Sequence, residues 1–242
     1  MQTSTVRQVL AALLVAGVLL GGVALAYSGG PFGLDDPVMA WVIAHRNAAV
    51  MPTVSVVSDC FGPMMIAIWT IAIAVGLTIY DRSIVRATAV VASVVTAGIV
   101  AEIVKLVVAR PRPPLQFHRT IAETSFSYPS GHVTGTCALA VTVALVCTAS
   151  TAPRVRRGVV SAAVAITLVV AGTRLYLGVH WVSDVVAAMA VGIAVALIIP
   201  PLAVGGLTDL HRRTASGSTG RLSGWLRPRS ASPNGDQVHA HH

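Results

Sequence analysis

Apolar residues in this chain fall into six long blocks separated by short polar stretches. The blocks cover residues 9–27, 63–80, 84–108, 133–149, 159–173 and 182–204. A helix needs about 20 apolar residues to cross the hydrocarbon of a bilayer, and each block comes close to that length. Backbone groups in lipid must find partners inside their own segment, which favours helices over open strands. The pattern therefore predicts an all-α bundle of six transmembrane helices. The first block has a second reading. Arg7, the apolar stretch and Ala24-Leu25-Ala26 also resemble a signal peptide with its cleavage site. Its apolar core is long for a signal peptide, which favours a retained span.

Two polar segments carry further structure. Asp35-Asp36-Pro37 offers a cap for a short helix with Val38, Met39, Trp41, Val42 and Ile43, and Trp41 would sit at headgroup level. An ordinary surface loop is the alternative. From about Gly205 the composition turns to Ser, Gly, Arg and Pro, which predicts a disordered tail over 206–242 after a membrane domain over 1–205.

Composition agrees with this pattern. The chain of 242 residues is 55% hydrophobic and 11% charged, with a mean hydropathy of +0.76, whereas soluble domains carry about 25% charge. The net charge of +8 does not point to nucleic acid, because it sits in short loops and the tail. With six spans both termini share a side. That side holds Arg7, Arg82, Arg86, Arg154, Arg156, Arg157 and five tail arginines, eleven of the 17 basic residues. The positive-inside rule makes it cytoplasmic. Cys60, Cys137 and Cys147 form no disulfide framework and show no metal-ligand spacing. The tail histidines His239, His241 and His242 are assigned no metal, and no cofactor is expected.

The basic residues left outside, Arg46, Lys105, Arg110, Arg112, Arg119 and Arg174, mostly flank two loops and suggest an anionic ligand. Lipid headgroups attracting arginine are the simpler explanation. Three segments reach this same end by span parity. Lys105 to Pro113 closes the third span. Tyr128-Pro129-Ser130-Gly131-His132 opens the fourth. Thr173 to Asp184 joins the fifth to the sixth. Lys105 lies in an apolar stretch where a charge is costly, though a pair with Glu102, three residues earlier, would account for it. Arg112 and Arg174 present planar forks suited to phosphate oxygens. Ser130 and Gly131 begin a helix, and free N–H groups there favour anions. His180 and Asp184 share a helix face, so the carboxylate can fix the imidazole tautomer and leave the other nitrogen to attack. His132 can then protonate a leaving oxygen.

The pattern Lys105-x6-Arg112-Pro113, Pro129-Ser130-Gly131-His132 and Arg174-x5-His180-x3-Asp184 resembles the type 2 phosphatidic acid phosphatase superfamily, which also includes the vanadium haloperoxidases. The motifs span about a third of the chain, and six spans fit the membrane branch. The resemblance implies that His180 forms a phosphohistidine, Asp184 orients it and His132 protonates the leaving oxygen. It also implies that Lys105, Arg112, Ser130, Gly131 and Arg174 hold the phosphoryl oxygens, with no metal. Thr173 stands where that family usually has serine. Arg110, His118, Arg119 and Glu123 fall outside the motifs, either shaping headgroup choice or merely solvated. The expected activity is extracytoplasmic hydrolysis of a lipid phosphate, by preference a polyprenyl diphosphate carrier, with phosphatidic acid or phosphatidylglycerophosphate as the alternative. The expected partners are that substrate and membrane lipids, not nucleic acid. An anion transporter is the competing class, disfavoured because binding alone does not require His132, His180 and Asp184.

Overall fold

The structure is a computed structural model that describes residues 2–119 and 125–216. Eight helices and two short 3-10 turns account for the ordered elements, with no strand among the described residues. The helices are α1 (Gln2–Ser28), α2 (Asp35–Ala44), α3 (Met51–Asp59), α4 (Pro63–Asp81), α5 (Val85–Val108), α6 (Gly131–Cys147), α7 (Pro153–Tyr176) and α8 (Val182–Ser216). Among the described residues, five helices are long and apolar enough to cross a membrane: α1, α4, α5, α7 and α8. The fourth apolar block forms α6, a helix of 17 residues, at the short end of what hydrocarbon requires.

Local chemistry sets the helix ends. Pro52, Pro63 and Pro153 occupy first-turn positions, where the missing N–H costs nothing and the fixed φ suits a helix. Gly29, with φ +64°, follows α1, and its N–H reaches Leu25 O at 3.2 Å. Because Pro153 starts α7, Arg154, Arg156 and Arg157 lie in its first two turns and not in a loop. Helix α8 runs through Ser216, past the boundary expected at 205. The remainder of the expected disordered tail lies outside the described residues.

The outer faces of the spanning helices carry exposed Leu20, Ile71, Ile79, Val95, Ile103, Val107 and Leu168. Inward faces are lined by small residues. Helices α6 and α8 form the central pair, with α1 and α5 against α8, and α4 and α7 against α6. One buried cluster joins Val18, Ala97, Ala138, Ala187 and Val191, and a second joins Val133, Val170, Val185 and Ala188. In lipid there is no water to expel between helices, so close approach of backbones through small residues supplies the association energy.

The segment between α1 and α4 covers one end of this bundle. Helix α2 forms as expected, but Asp35 does not cap it. Leu34 is the N-cap residue and makes no side-chain cap bond, while Asp35 turns into the protein and is 1% exposed. Helix α3 has no counterpart among the six expected blocks and packs on α7.

Gly192 tests the central contact. A Cβ built there would lie 2.6 Å from Cys137 Cβ and 2.9 Å from Ala138 N, so α6 and α8 cannot stay this close with any larger residue. Gly192→Ala should destabilise the detergent-solubilised protein by about 1–3 kcal/mol, the usual cost of overpacking, seen as a lower thermal unfolding midpoint. An unchanged midpoint would refute the tight crossing.

Candidate active site

Four helix ends meet at the covered end of the bundle: the C-termini of α5 and α7 and the N-termini of α6 and α8. This convergence follows from antiparallel packing of successive helices. The motif residues all lie here.

His180 sits in the turn between α7 and α8 and is 1% exposed. The turn needs Gly178, whose φ is +75°. A Cβ there would fall 2.3 Å from Phe117 O and 2.5 Å from Arg46 Nη2, so the close approach and the left-handed backbone both demand glycine. Asp184, in the first turn of α8, accepts from the Trp181 N–H at 2.9 Å and faces His180 Nδ1 at 3.3 Å through the same oxygen, Oδ2. Arg112 Nη1 lies 3.1 Å from His180 Nε2. A guanidinium only donates, so Nε2 is the acceptor and carries the lone pair. The ring proton is then on Nδ1, toward Asp184. Burial holds the His180 imidazole below its ordinary value. The bond and charge of Asp184 oppose this, and the charges of Arg112 and Arg174 add to it. The ring is thus neutral at neutral pH, with Nε2 turned toward the cations.

The cations come from three elements. Lys105, 7% exposed in the last turn of α5, donates to Glu102 Oε1 at 2.6 Å. The pair considered from sequence therefore exists, but the Glu102 side chain is 62% exposed, and an ammonium has two further donors. A Cβ on Gly131 would be 3.9 Å from Lys105 Nζ, which sets the ammonium beside the start of α6. Arg112 donates to Ser125 O at 2.7 Å, Ser125 Oγ at 3.0 Å and Val179 O at 2.9 Å. It thereby ties the strand of loop before α6 to the turn that carries His180. Arg174, 2% exposed in the last turn of α7, donates to Ser58 Oγ at 2.7 Å and lies 3.4 Å from His132 Nε2.

Helix α6 begins after a cis Tyr128–Pro129 bond. Ser130 is its N-cap. The Ser130 hydroxyl is buried and has no hydrogen-bond partner among the described residues, and the first N–H groups of a helix have no partner within it. His132 follows in the first turn, half-buried. The Tyr128 phenol donates to Val18 O of α1 at 2.8 Å, and burial pushes it up to about 12, so it remains a donor. Thr173 keeps the hydroxyl expected before the arginine, but it donates to Val170 O at 2.7 Å within α7 and is not aimed at the cations.

All eight sequence-predicted residues, Lys105, Arg112, Ser130, Gly131, His132, Arg174, His180 and Asp184, converge at this end. One sequence expectation is corrected. Arg110 is not solvated. Its side chain is 1% exposed and pairs with Asp184 Oδ1 and Asp35 Oδ2, both at 2.6 Å. Asp35, Ser58 and Ser183 are further members that the motifs do not include. The only sequence signal for Arg110 was its place two residues before Arg112, and for Asp35 its acidity before an apolar run. His118 Nε2 donates to Pro113 O, 2.9 Å away, and the Arg119 N–H reaches Leu177 O at 3.0 Å. Glu123 lies outside the described residues. Among the described residues, no group of three His, Cys, Asp or Glu side chains is arranged to hold a metal ion.

Comparison with known proteins fits this picture. The fold is similar to that of the first transmembrane PAP2 type phosphatidylglycerolphosphate phosphatase from Bacillus subtilis. The TM-score is 0.68 at 19% identity, over 77% of this chain and 94% of that one. It is also similar to Aquifex aeolicus LpxE, with a TM-score of 0.51 at 16% identity, over 69% of this chain and 94% of that one. No curated protein sequence matches the chain. The PAP2 superfamily model matches residues 86–204, the stretch that holds all eight motif residues. Residues 86–204 therefore match the PAP2 superfamily, and this match together with the fold indicates a membrane-embedded phosphoric ester hydrolase.

Proposed function

We propose that the chain hydrolyses a phosphate monoester or diphosphate on a lipid through a phosphohistidine on His180, and that its substrate is a polyprenyl diphosphate carrier. The observation that carries the chemistry is the state of His180: Nδ1 faces Asp184 and Nε2 faces a cation. Substrate binding lets a phosphoryl oxygen take the Arg112 guanidinium, which releases the Nε2 lone pair at the atom it must attack. Nε2 then bonds to phosphorus and the P–O bond to the lipid breaks. His132 gives a proton to the leaving oxygen. Water next cleaves the N–P bond, with His132 taking its proton, and phosphate departs. Lys105, Arg112, Arg174, the Ser130 hydroxyl and the α6 N–H groups stabilise charge on the phosphoryl oxygens.

A groove supports the lipid half of the reading. It lies between α4, α6 and α7, has a volume of about 370 Å³, and is lined by residues including Phe61, Ile66, Trp69, Thr136, Ala140 and Ala144. His132, Thr136, Ala140 and Ala144 are spaced four apart, so they share one face of α6. The groove therefore starts about one turn below His132 and follows α6 from Thr136 to Ala144, about 12 Å at the helical rise. It suits a single long chain. The arginine distribution supports six spans with both termini cytoplasmic and the site outside, where carrier lipid is left as a diphosphate after export reactions. Phosphatidylglycerophosphate is the second reading, favoured by the likeness to the Bacillus subtilis phosphatidylglycerolphosphate phosphatase. The His180–Asp184 pair argues against simple anion transport, which needs no nucleophile.

Removing His180 removes the covalent pathway, so His180→Ala should show almost no turnover on any substrate. His132→Ala should lose about a hundred- to ten-thousand-fold on a lipid monophosphate, and less on an activated aryl phosphate, whose leaving group needs little proton help. Asp184→Asn should fall between the two. Rapid quench with labelled substrate should trap acid-labile phosphate on wild type and none on His180→Ala. Label that persists without His180 would end the nucleophile assignment.

Attack needs unprotonated His180, and burial with two cations lowers its pKa. The acid limb of kcat/KM on an aryl phosphate, corrected for ionisation of the substrate, should thus fall below about 6.5, the ordinary imidazole value. An acid limb above that value would mean that another group controls the reaction.

Filling the groove should separate lipid from soluble substrates. Ala140→Trp is expected to raise KM for a polyprenyl diphosphate about tenfold, the loss of roughly two buried methylenes at ~0.8 kcal/mol each. Turnover of the aryl phosphate should stay within twofold (about 0.4 kcal/mol). Equal loss on both substrates would place the lipid chain elsewhere.

A further inference from the structure

We propose that Asp35 of α2, acting through Arg110, is a positioning residue for the His180–Asp184 pair. This inference rests on the reading of His180 as nucleophile. Asp35 lies outside residues 86–204, the part of the chain that the family model matches, so the α1–α2 segment adds to a site whose eight motif residues all belong to that stretch.

The geometry is a continuous buried chain. Arg110 Nη1 donates to Asp184 Oδ1 at 2.6 Å and to Ser183 Oγ at 2.7 Å. Its Nη2 donates to Asp35 Oδ2 at 2.6 Å and to Gly30 O at 3.4 Å. Asp35 Oδ1 accepts from the Ser183 N–H and hydroxyl, both at 2.9 Å, and Oδ2 accepts from the Phe32 N–H at 2.9 Å. The Arg110 guanidinium also stands 5.6 Å from the centre of the Trp181 ring. Asp35, Arg110 and Asp184 are each no more than 2% exposed. With Asp184 Oδ1 held by Arg110, only Oδ2 is left for His180 Nδ1, which fixes the direction of that bond. Asp35 fixes Arg110 in turn, because it binds the guanidinium on the side away from Asp184 and binds Ser183, the residue next to Asp184.

Charge adds a second effect. One guanidinium between two carboxylates leaves the cluster one negative charge in excess. That excess suits the positive charge that develops on the His180 ring as Nε2 bonds to phosphorus. It also opposes the cations on the other side of the ring. The groups facing His180 are Asp184 from α8, Arg112 from the loop after α5 and Arg174 from α7, with Lys105 of α5 and His132 of α6 at the same end. Asp36, the neighbour of Asp35 on α2, is exposed. Burial pushes the Asp35 carboxyl up, but bonds from Ser183, Arg110 and Phe32 outweigh it and hold the group below the ordinary carboxylate value. Asp35 is therefore ionised across the working range.

The experiment compares wild type, Asp35→Asn, Asp35→Glu and Arg110→Lys in full-length protein, with an aryl phosphate as probe. Rates are normalised to the monodisperse, thermally cooperative fraction. Asp35→Asn removes the negative charge, so His180 becomes harder to protonate. Its kcat should fall about 10- to 100-fold, the scale of losing an outer hydrogen-bond partner. KM should change less than twofold, and the acid limb of kcat/KM should move to lower pH by about half a unit or more. Asp35→Glu and Arg110→Lys keep the charge but not the geometry, so kcat should fall with the acid limb in place. If Asp35→Asn gives no folded protein, these two variants carry the test, and wild-type kcat in both overturns the proposal. A folded Asp35→Asn with its acid limb unmoved also overturns it, since a purely structural anchor behaves that way. A wild type that hydrolyses no phosphate ester overturns the phosphatase reading and this inference together, whereas an active wild type with indifferent variants overturns this inference alone.

Discussion

A guanidinium held between two carboxylates, away from water, organises this end of the molecule. Arg110 could not be buried alone, because an unpaired charge in a low-dielectric interior costs several kcal/mol. Its pairs with Asp35 and Asp184, each at 2.6 Å, meet that cost only if both acids arrive together. Asp184 comes from the start of α8 and Asp35 from α2. Meeting the pairing requirement therefore places α2 on the end of the bundle and orients the first turn of α8. The turn bearing His180 follows, since Asp184 Oδ2 also holds the Trp181 N–H.

Around this cluster the bundle uses two kinds of packing. Within the hydrocarbon, α6 and α8 approach through Gly192, Cys137 and Ala138, and small residues carry the contact. At the active end, contacts are polar and reach across long stretches of chain, as with Arg46 to Phe117 O at 2.8 Å and Arg174 to Ser58 Oγ at 2.7 Å. A polar end that is rigid before substrate arrives suits electrostatic catalysis, where preset dipoles avoid reorganisation during reaction.

The sequence revealed the five long apolar helices because lipid imposes a simple rule, a long apolar run, and it brought the eight motif residues together because antiparallel packing of successive helices puts three polar segments at one end. What it hid depends on side-chain direction. Asp35 in an Asp-Asp-Pro run looks like a helix cap, and only the tertiary position of Ser183 and Arg110 turns it inward. Arg110 looks like one more interfacial arginine, since nothing local distinguishes it from Arg112. Helix α3 is too short and mixed to register as a periodic block, yet its Ser58 holds Arg174. Thr173, where the family usually has serine, spends its hydroxyl on Val170 O within α7.

Under the proposed function, α6 explains how a molecule with a charged head and a long apolar chain is held by one element. Its N-terminus supplies N–H groups, the Ser130 hydroxyl and His132, all suited to an anion. Below the first turn the same face becomes Thr136, Ala140 and Ala144. The Thr136 hydroxyl donates to His132 O at 2.8 Å, so even the polar residue of the stripe presents carbon to the groove. A substrate seated on this face has its phosphorus fixed near the helix start once its chain lies in the groove. Chain binding therefore contributes to orientation at the reacting atoms and not merely to retention. This is the route by which binding energy from a remote part of a substrate can lower the barrier to chemistry. A short soluble phosphate reaches the same cations but lacks that alignment, so the advantage of the lipid substrate should lie in kcat/KM.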